Sequence, residues 1–320
     1  MKFDAIILAA GKGKRMKPFS DVISKPMLPL LNKPLVSLIA EQLLRIGAEK
    51  IVVTVSKSNE EEFKSYFQKQ HYADKITYCL QDPPQGTADA IYKAGSMCSS
   101  KVIYSMAGDN LFSENFCKSM VEEFFKLQKN KTCIMALMEV TKEEITKLAS
   151  VKMTETGLIT SIVEKPKFEE VESTLASWSM YIFDKALLKY FGSVSLSGRG
   201  EYEAPDAFKA MMQHKETITL KGLINTDSYI HISSPFDLWK NNVALIRQNE
   251  NLIAKETKIG DNTVIKHSII GENVFIGNNC IIEDSVILKN VLLPPNSNIQ
   301  KSIIGKKESG YEQYIVTEKE

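Results

Sequence analysis

Residues 8–16 read LAAGKGKRM and follow FDAII (residues 3–7), a short apolar run of the kind that forms a buried strand. The chain leaves this strand through two alanines and two glycines, then places Lys12, Lys14 and Arg15 within four positions. Glycines at such an exit let the backbone approach an anion, and a helical turn beyond adds its positive end. Two phosphate-binding patterns are excluded by spacing. Met16 stands where G-x-G-x-x-G needs its third glycine, and Gly11 and Gly13 lie too close together for G-x-x-x-x-G-K-[ST]. Taken alone, the stretch also reads as a tight turn with solvated cations.

The surrounding chain sets bounds. With 320 residues and 43% hydrophobic composition it can bury one sizeable core and a smaller second one, as a soluble globular protein does. Lys and Arg number 40 against 39 Asp and Glu, so no net field recruits nucleic acid or an anionic membrane, and a small-molecule partner is expected. The five cysteines (Cys79, Cys98, Cys117, Cys133, Cys280) are scattered and never in a CxxC pair, which suits reduced core thiols in a cytoplasmic protein rather than disulfides or zinc. The apolar run from Ala5 to Ala10 is too short for a signal-peptide core, and no stretch has membrane-spanning length.

The first 110 residues alternate strand and helix signals. Residues 3–9, 50–55, 75–80 and 101–110 read as strands. Between them lie an amphipathic segment opened by Asn32 and Pro34, a helix capped by Asn59, and a third helix in TADAIYKAGSMC (residues 87–98). This alternation predicts a doubly wound, mostly parallel, Rossmann-like α/β sheet, with ligands beyond the carboxyl ends of its strands. The exit after residue 10, QDPPQGT after residue 80 and AGDN (residues 107–110) all fall at that edge. From about residue 250 the texture changes. Ile or Leu recurs at 253, 259, 265, 270, 276, 282, 288, 293, 299 and 304, in steps of six with an occasional five. That period predicts a short left-handed β-helix of hexapeptide repeats, about three coils long. The expected boundaries are 1–248 for the α/β domain, 249–305 for the β-helix and 306–320 for a charged tail that frays or packs as an end cap.

The longer run LAAGKGKRMKPFSDVISKPMLPLLNKPLV (residues 8–36) resembles the signature of the sugar-phosphate nucleotidyltransferases, roughly LAAG-x-G-[TS]-R-[ML], a gap, PK-x-[ML], and a second proline before a helix. Further segments resemble the family in order: LQDPPQGTADAI (80–91) its pyrimidine-recognition loop, AGDN its metal-binding aspartate, and IVEKP (162–166) its sugar motif. ASWSMYIFDKALL (176–188), GEYEAPDAF (200–208) and SYIHISSPFDLWKNNVALI (228–246) resemble later family segments. Departures from the pattern are Lys14 for Thr or Ser, Ser177 and Ser179 where Asn and Gly are common, Pro205 for Thr, and His231 for the second metal-binding Asp.

The resemblance implies transfer of a nucleotidyl group from UTP, or next dTTP, to a hexose 1-phosphate of glucose or N-acetylglucosamine type. It implies catalytic roles for Arg15, Lys25 and Asp109, and nucleotide contacts at Leu8, Ala10, Gly11, Gly13, Lys14, Gln81, Gly86 and Thr87. Glu164 and Lys165 are then the sugar-phosphate residues, and Asp109 with His231 the candidate metal ligands for Mg²⁺, or Mn²⁺ given the imidazole. Some relatives use a long β-helix for acetyl transfer; about three coils are too few, so the repeats are expected to serve homo-oligomerisation or regulation. Each motif alone also has a plain reading: a polar turn for residues 81–87, an N-cap or turn for Asp109, an exposed ion pair at Glu164 and Lys165, a strand histidine at 231. A non-catalytic regulatory paralogue, an enzyme for another base such as GTP, and a β-helix scaffold stay open as alternatives.

Overall fold

The computed structural model describes residues 2–127, 131–248, 250–307 and 310–315. The chain divides into two compact units, Met1–Gly11 with Ile39–Tyr229, and Lys12–Leu38 with Ile230–Glu320.

The first unit is built on a nine-stranded sheet. Its strands are β1 (Phe3–Leu8), β2 (Ala48–Val55), β3 (Ile76–Leu80), β4 (Val102–Ala107), β5 (Lys131–Glu139), β6 (Ala149–Met153), β7 (Ile159–Glu164), β8 (Leu175–Asp184) and β9 (Ile218–Ile224). The spatial order is β7-β6-β8-β4-β1-β2-β3, with β5 beside β8 and β9 beside β5. β1 pairs in parallel with β2 and β4, and β2 with β3. β8 runs antiparallel to β4, β5 and β6. Helices α1 (Leu35–Arg45), α2 (Glu60–Phe67), α3 (Thr87–Met97) and α4 (Glu114–Lys126) follow strands or precede them, as parallel neighbours require. β1 shows the burial of a strand covered on both faces: Phe3, Ala5, Ile6 and Ile7 are fully inaccessible, and the one charged residue among them, buried Asp4, accepts from Ser99 N and Ser100 N. The core continues through Ile91, Ile103, Met135, Tyr181, Phe183 and Phe208. All five cysteines are buried and free.

Register decides where the loops emerge. Leu8 lies opposite both Thr54 and Ala107, and Val55 opposite Leu80. The four parallel strands therefore end within a residue or two of one another, and their exits share one edge.

Two local expectations change. Asn32 does not open a helix: it sits at φ 62 in the turn of a hairpin pairing Pro29–Leu30 with Lys33–Pro34, and α1 begins only at Leu35. Asn59 precedes α2 but makes no side-chain cap. Its Oδ1 accepts from Ser56 N at 2.8 Å and its Nδ2 donates to Ala9 O at 3.1 Å. An asparagine that can bridge two backbone segments outweighs the local cap.

In the second unit, residues 252–304 form a β-helix whose short parallel strands make three faces. Leu252 pairs with Ile269, Ile269 with Val286 and Val286 with Ile303, so each coil takes 17 residues. The anchor expected at 288 is instead Ile287, which pairs with Ile270 and lies in the core with Ile276, Ile282, Leu293, Ile299 and Ile304. Leu288 is buried beside it. Stacking demands the same count in every coil, so the five-residue step recurs on one face at 265–270, 282–287 and 299–304. Turn positions are filled by residues that tolerate a left-handed backbone, among them Asn262 (φ 55), Asn279 (φ 57) and Asn296 (φ 63). Buried Ser268, Ser285 and Ser302 stack, the Ser268 and Ser285 hydroxyls each accepting from the amide of the next serine at 3.1 Å. Of the expected tail, Gly310–Ile315 pairs antiparallel with Ser302–Lys307 and covers the open edge. Residues 308, 309 and 316–320 lie outside the described residues.

Candidate functional site

The exit from β1 is fixed by side chains from the neighbouring strand and loop. Ala9 N donates to Thr54 Oγ1 at 2.9 Å, Ala9 O accepts from Asn59, and Leu8 O accepts from Gly108 N at 2.9 Å. Leu8, Ala10 and Gly11 thus emerge from a preset backbone, and Gly11 faces open space where a Cβ would meet nothing within 4 Å. Asp109 follows Gly108 in the turn after β4 and is half-buried. Leu8 and the residue next to Asp109 are therefore hydrogen-bonded neighbours.

The loop after β3 closes on the segment before helix α5 (Ala204–Met212). Tyr202 N donates to Gln85 O at 2.7 Å, Ala88 N to Tyr202 O at 2.9 Å, and Ala204 N to Thr87 Oγ1 at 3.1 Å. Gly86 has φ +115, and a Cβ there would lie 2.4 Å from Tyr202 O, so only glycine fits. Gln81 is 3% exposed; its Nε2 donates to Gly86 O at 2.9 Å and Asp89 Oδ2 at 2.8 Å. Both amide protons are engaged within the loop, which shapes the loop and leaves Oε1 as the group able to meet a ligand.

At the end of β7, Glu164 pairs with Arg199 Nη2 at 2.9 Å, and Arg199 also reaches both carboxylate oxygens of Glu203, its Nε at 3.0 Å. Burial, then the neighbouring Glu203, push the Glu164 carboxyl above its ordinary value, opposed by Arg199. For Glu203, burial pushes upward but is outweighed by hydrogen bonds from Arg199 and Ser197, which hold it below the usual range. Lys165 is exposed and takes φ 46 directly before Pro166, a left-handed conformation uncommon for lysine. Ser179 adopts φ 50, so the backbone at this position keeps a conformation that glycine favours. Arg199 and Glu203 were not singled out by sequence; their signal is the i, i+4 pairing in RGEYE (residues 199–203).

In the second unit, Gly13 has φ +59 and a Cβ there would sit 2.9 Å from Lys25 Cβ. The G-x-G turn and the SKP turn, twelve residues apart, are in contact. Lys14 and Arg15 are exposed in the 3-10 turn Lys14–Met16, and half-buried Lys25 opens the 3-10 turn Lys25–Met27. His231 ends the short strand Tyr229–His231 and is half-buried. His231 belongs to the second unit and Asp109 to the first. Among the described residues no group of three or more His, Cys, Asp or Glu is arranged to hold a metal ion.

The family model described as Nucleotidyl transferase matches residues 4–228, and one described as GMPPB C-terminal domain matches residues 247–318. The chain is 31% identical over 221 residues to UTP--glucose-1-phosphate uridylyltransferase AglF of Haloferax volcanii, covering 67% of this chain and 85% of that protein. It is 27% identical over 269 residues to Bifunctional protein GlmU of Methanocaldococcus jannaschii, covering 84% of this chain and 60% of the relative's length. A solved UDP-glucose pyrophosphorylase complexed with UDP-glucose superposes with a TM-score of 0.68 at 22% identity, over 76% of this chain and 98% of that one, which shows a shared fold. With the match spanning most of the strands and loops described above, the chain belongs to the nucleotidyl transferase family.

Proposed function

We propose that the protein makes a nucleotide sugar and pyrophosphate from a pyrimidine nucleoside triphosphate and a hexose 1-phosphate. UTP is the favoured donor and dTTP the next, with glucose 1-phosphate or N-acetylglucosamine 1-phosphate as acceptor. What supports this most is the packing of the Gly13 turn against Lys25, which sets Lys25 beside the turn that carries Lys12, Lys14 and Arg15. The activities named for the relatives point the same way.

In this reading the acceptor phosphate oxygen attacks the α-phosphorus in line, that P–O bond forms, and the bond to the departing pyrophosphate breaks. No protein nucleophile is needed. Arg15 binds the triphosphate and steadies the leaving pyrophosphate, and Lys25 offsets charge at the α-phosphate. Backbone at Leu8, Ala10, Gly11 and Gly13, with Lys14, closes on the nucleotide, while Gly86, Thr87 and Gln81 Oε1 face the base. Glu164 accepts hydrogen bonds from the sugar and Lys165 holds its phosphate. Asp109 provides a carboxylate for Mg²⁺ or Mn²⁺, and the 5% exposed Asn110 beside it has an Oδ1 without a hydrogen-bond partner among the described residues. Oxygen donors of this kind fit Mg²⁺, which takes one or two protein ligands plus substrate phosphates. His231 fits Mn²⁺ better. When bound, the metal neutralises phosphate charge.

No described helix is long and apolar enough to cross a membrane. A cytoplasmic location accords with five free thiols. Homo-oligomerisation through the β-helix is supported by exposed Val264, Phe275, Ile281 and Leu292. Pyrophosphate release tests the reading, crossing UTP, dTTP, GTP and ATP with sugar 1-phosphates in Mg²⁺ or Mn²⁺. Release with UTP and a hexose 1-phosphate is expected. Nucleotide binding without release in any combination would instead establish the regulatory paralogue that Lys14, Ser179 and His231 favour.

A further inference from the structure

We infer that the helix Pro235–Leu245 and the β-helix with its last strand together clamp the cationic loop, with Asn32, Asn242 and Gly305 as positioning residues that set affinity for the triphosphate. This rests on the proposed roles of Arg15 and Lys25.

Residues 12–38 are poor in regular structure: three 3-10 turns, the small hairpin and the start of α1. None of their strands joins the nine-stranded sheet. A segment of this kind has few ladder bonds of its own to hold its cations. Its anchors come from the C-terminal half of the same compact unit.

The first anchor is Asn242, fully buried on helix α6 (Pro235–Leu245). Its Oδ1 accepts from Leu31 N at 2.9 Å, and its Nδ2 donates to Pro29 O at 3.0 Å and Leu238 O at 2.8 Å. Leu31 has φ 50, a conformation that leucine adopts only when its surroundings impose it. The second is Asn32, whose Nδ2 donates to Ile270 O on the β-helix at 2.8 Å. The third is Phe19. A Cβ on Gly305 would come within 2.7 Å of Phe19 Cδ1, and the Phe19 ring meets Tyr314 edge-on at 6.4 Å. Phe19 falls between Arg15 and Lys25 in the chain, and the hairpin follows Lys25 by a few residues. Lys25 is therefore carried between two points fixed to the β-helix, and Arg15 sits just before the first.

Two substitutions loosen the clamp with little disturbance elsewhere. Asn32→Gly keeps the left-handed turn and deletes the bond to Ile270. Gly305→Ala displaces Phe19, and Phe19→Leu added to it restores room. Amide hydrogen exchange of the ligand-free full chain, UTP affinity by calorimetry, the KM for glucose 1-phosphate and the thermal midpoint are measured together. For Asn32→Gly, exchange over residues 13–31 should quicken about tenfold while residues 3–8 stay unchanged. UTP affinity should weaken about five- to tenfold, with the KM for sugar phosphate within about twofold. Gly305→Ala should behave alike, and Phe19→Leu should recover it. Unchanged exchange over 13–31, or faster exchange with UTP affinity intact, overturns the inference. So does faster exchange throughout the chain with a falling midpoint, which marks a merely structural role. If the wild-type chain binds no triphosphate, the functional reading fails, and exchange over 13–31 alone still decides whether the clamp exists.

Discussion

The β-helix and the loop at residues 12–38 share a compact unit but are held by opposite means. In the β-helix the main contacts have copies one coil away: Ser268, Ser285 and Ser302 are linked by a repeated hydrogen bond, and Ile270, Ile287 and Ile304 fill one core position. In the loop each contact occurs once, as with Gly13 on Lys25 or Asn32 on Ile270. Repetition spreads load over many equivalent bonds. Singular contacts concentrate it, so a change in the loop should alter chemistry, and a change deep in the repeats should alter stability.

The largest test of that contrast removes charge from the loop. Lys25→Ala and Arg15→Ala should each lower the rate of pyrophosphate release on the order of 10²- to 10³-fold, with a thermal midpoint near the parent's. A matching fall in the midpoint would break the contrast. Its counterpart is Gly277→Ala in the β-helix, where the new Cβ lies 2.4 Å from Pro295 N. Overpacking of this sort costs about 1–3 kcal/mol, read in a denaturant titration, while turnover per folded molecule should hold. The nearest atoms to that Cβ belong to Pro294 and Pro295 and not to a clamp residue, so altered UTP affinity there would show that the whole β-helix, not its anchored corner, governs the loop.

A pH profile sharpens the comparison on the sheet side. Because the Glu164 pKa is raised in the folded chain, its protonated form persists above the ordinary glutamate range. Its contribution to folding is then present below that range and lost as pH rises through the folded pKa. Sugar binding by the carboxylate follows the opposite course, so the acid limb of kcat/KM for the sugar phosphate should lie above the usual glutamate value. Arg199→Gln removes a cation that lowers the pKa and should move the limb up; Glu203→Gln removes a like charge and should move it down. The smallest expected effect is at Thr87→Val, which strips the acceptor from Ala204 N and should cost about 1 kcal/mol in thermal stability.

The four parallel strands of the first 110 residues were legible because apolar runs and helix signals alternate there, and the β-helix because a repeated coil writes its period into sequence, whereas the later strands, several antiparallel, follow no such alternation. The step at Ile287 was misread because Leu288 is equally apolar and equally buried; only the partner strand tells them apart. Asn32 was misread because a hairpin turn and a helix start favour the same residue types. At the candidate site, motif order located the loops, and the fold brings several of them to one edge. It could not reveal that Gln81 donates into its own loop or that Arg199 binds Glu164, since both depend on partners set by tertiary folding.

The thiols supply a built-in reporter. Every cysteine is buried, which keeps alkylating reagents away from the native chain, and desolvation pushes Cys98 and Cys117 up to about 12, so those two present almost no thiolate. Four of these sulfurs sit at or before residue 133 and the fifth, Cys280, inside the repeats. Timed labelling with peptide mapping would thus register which half opens first on heating, without a single engineered probe.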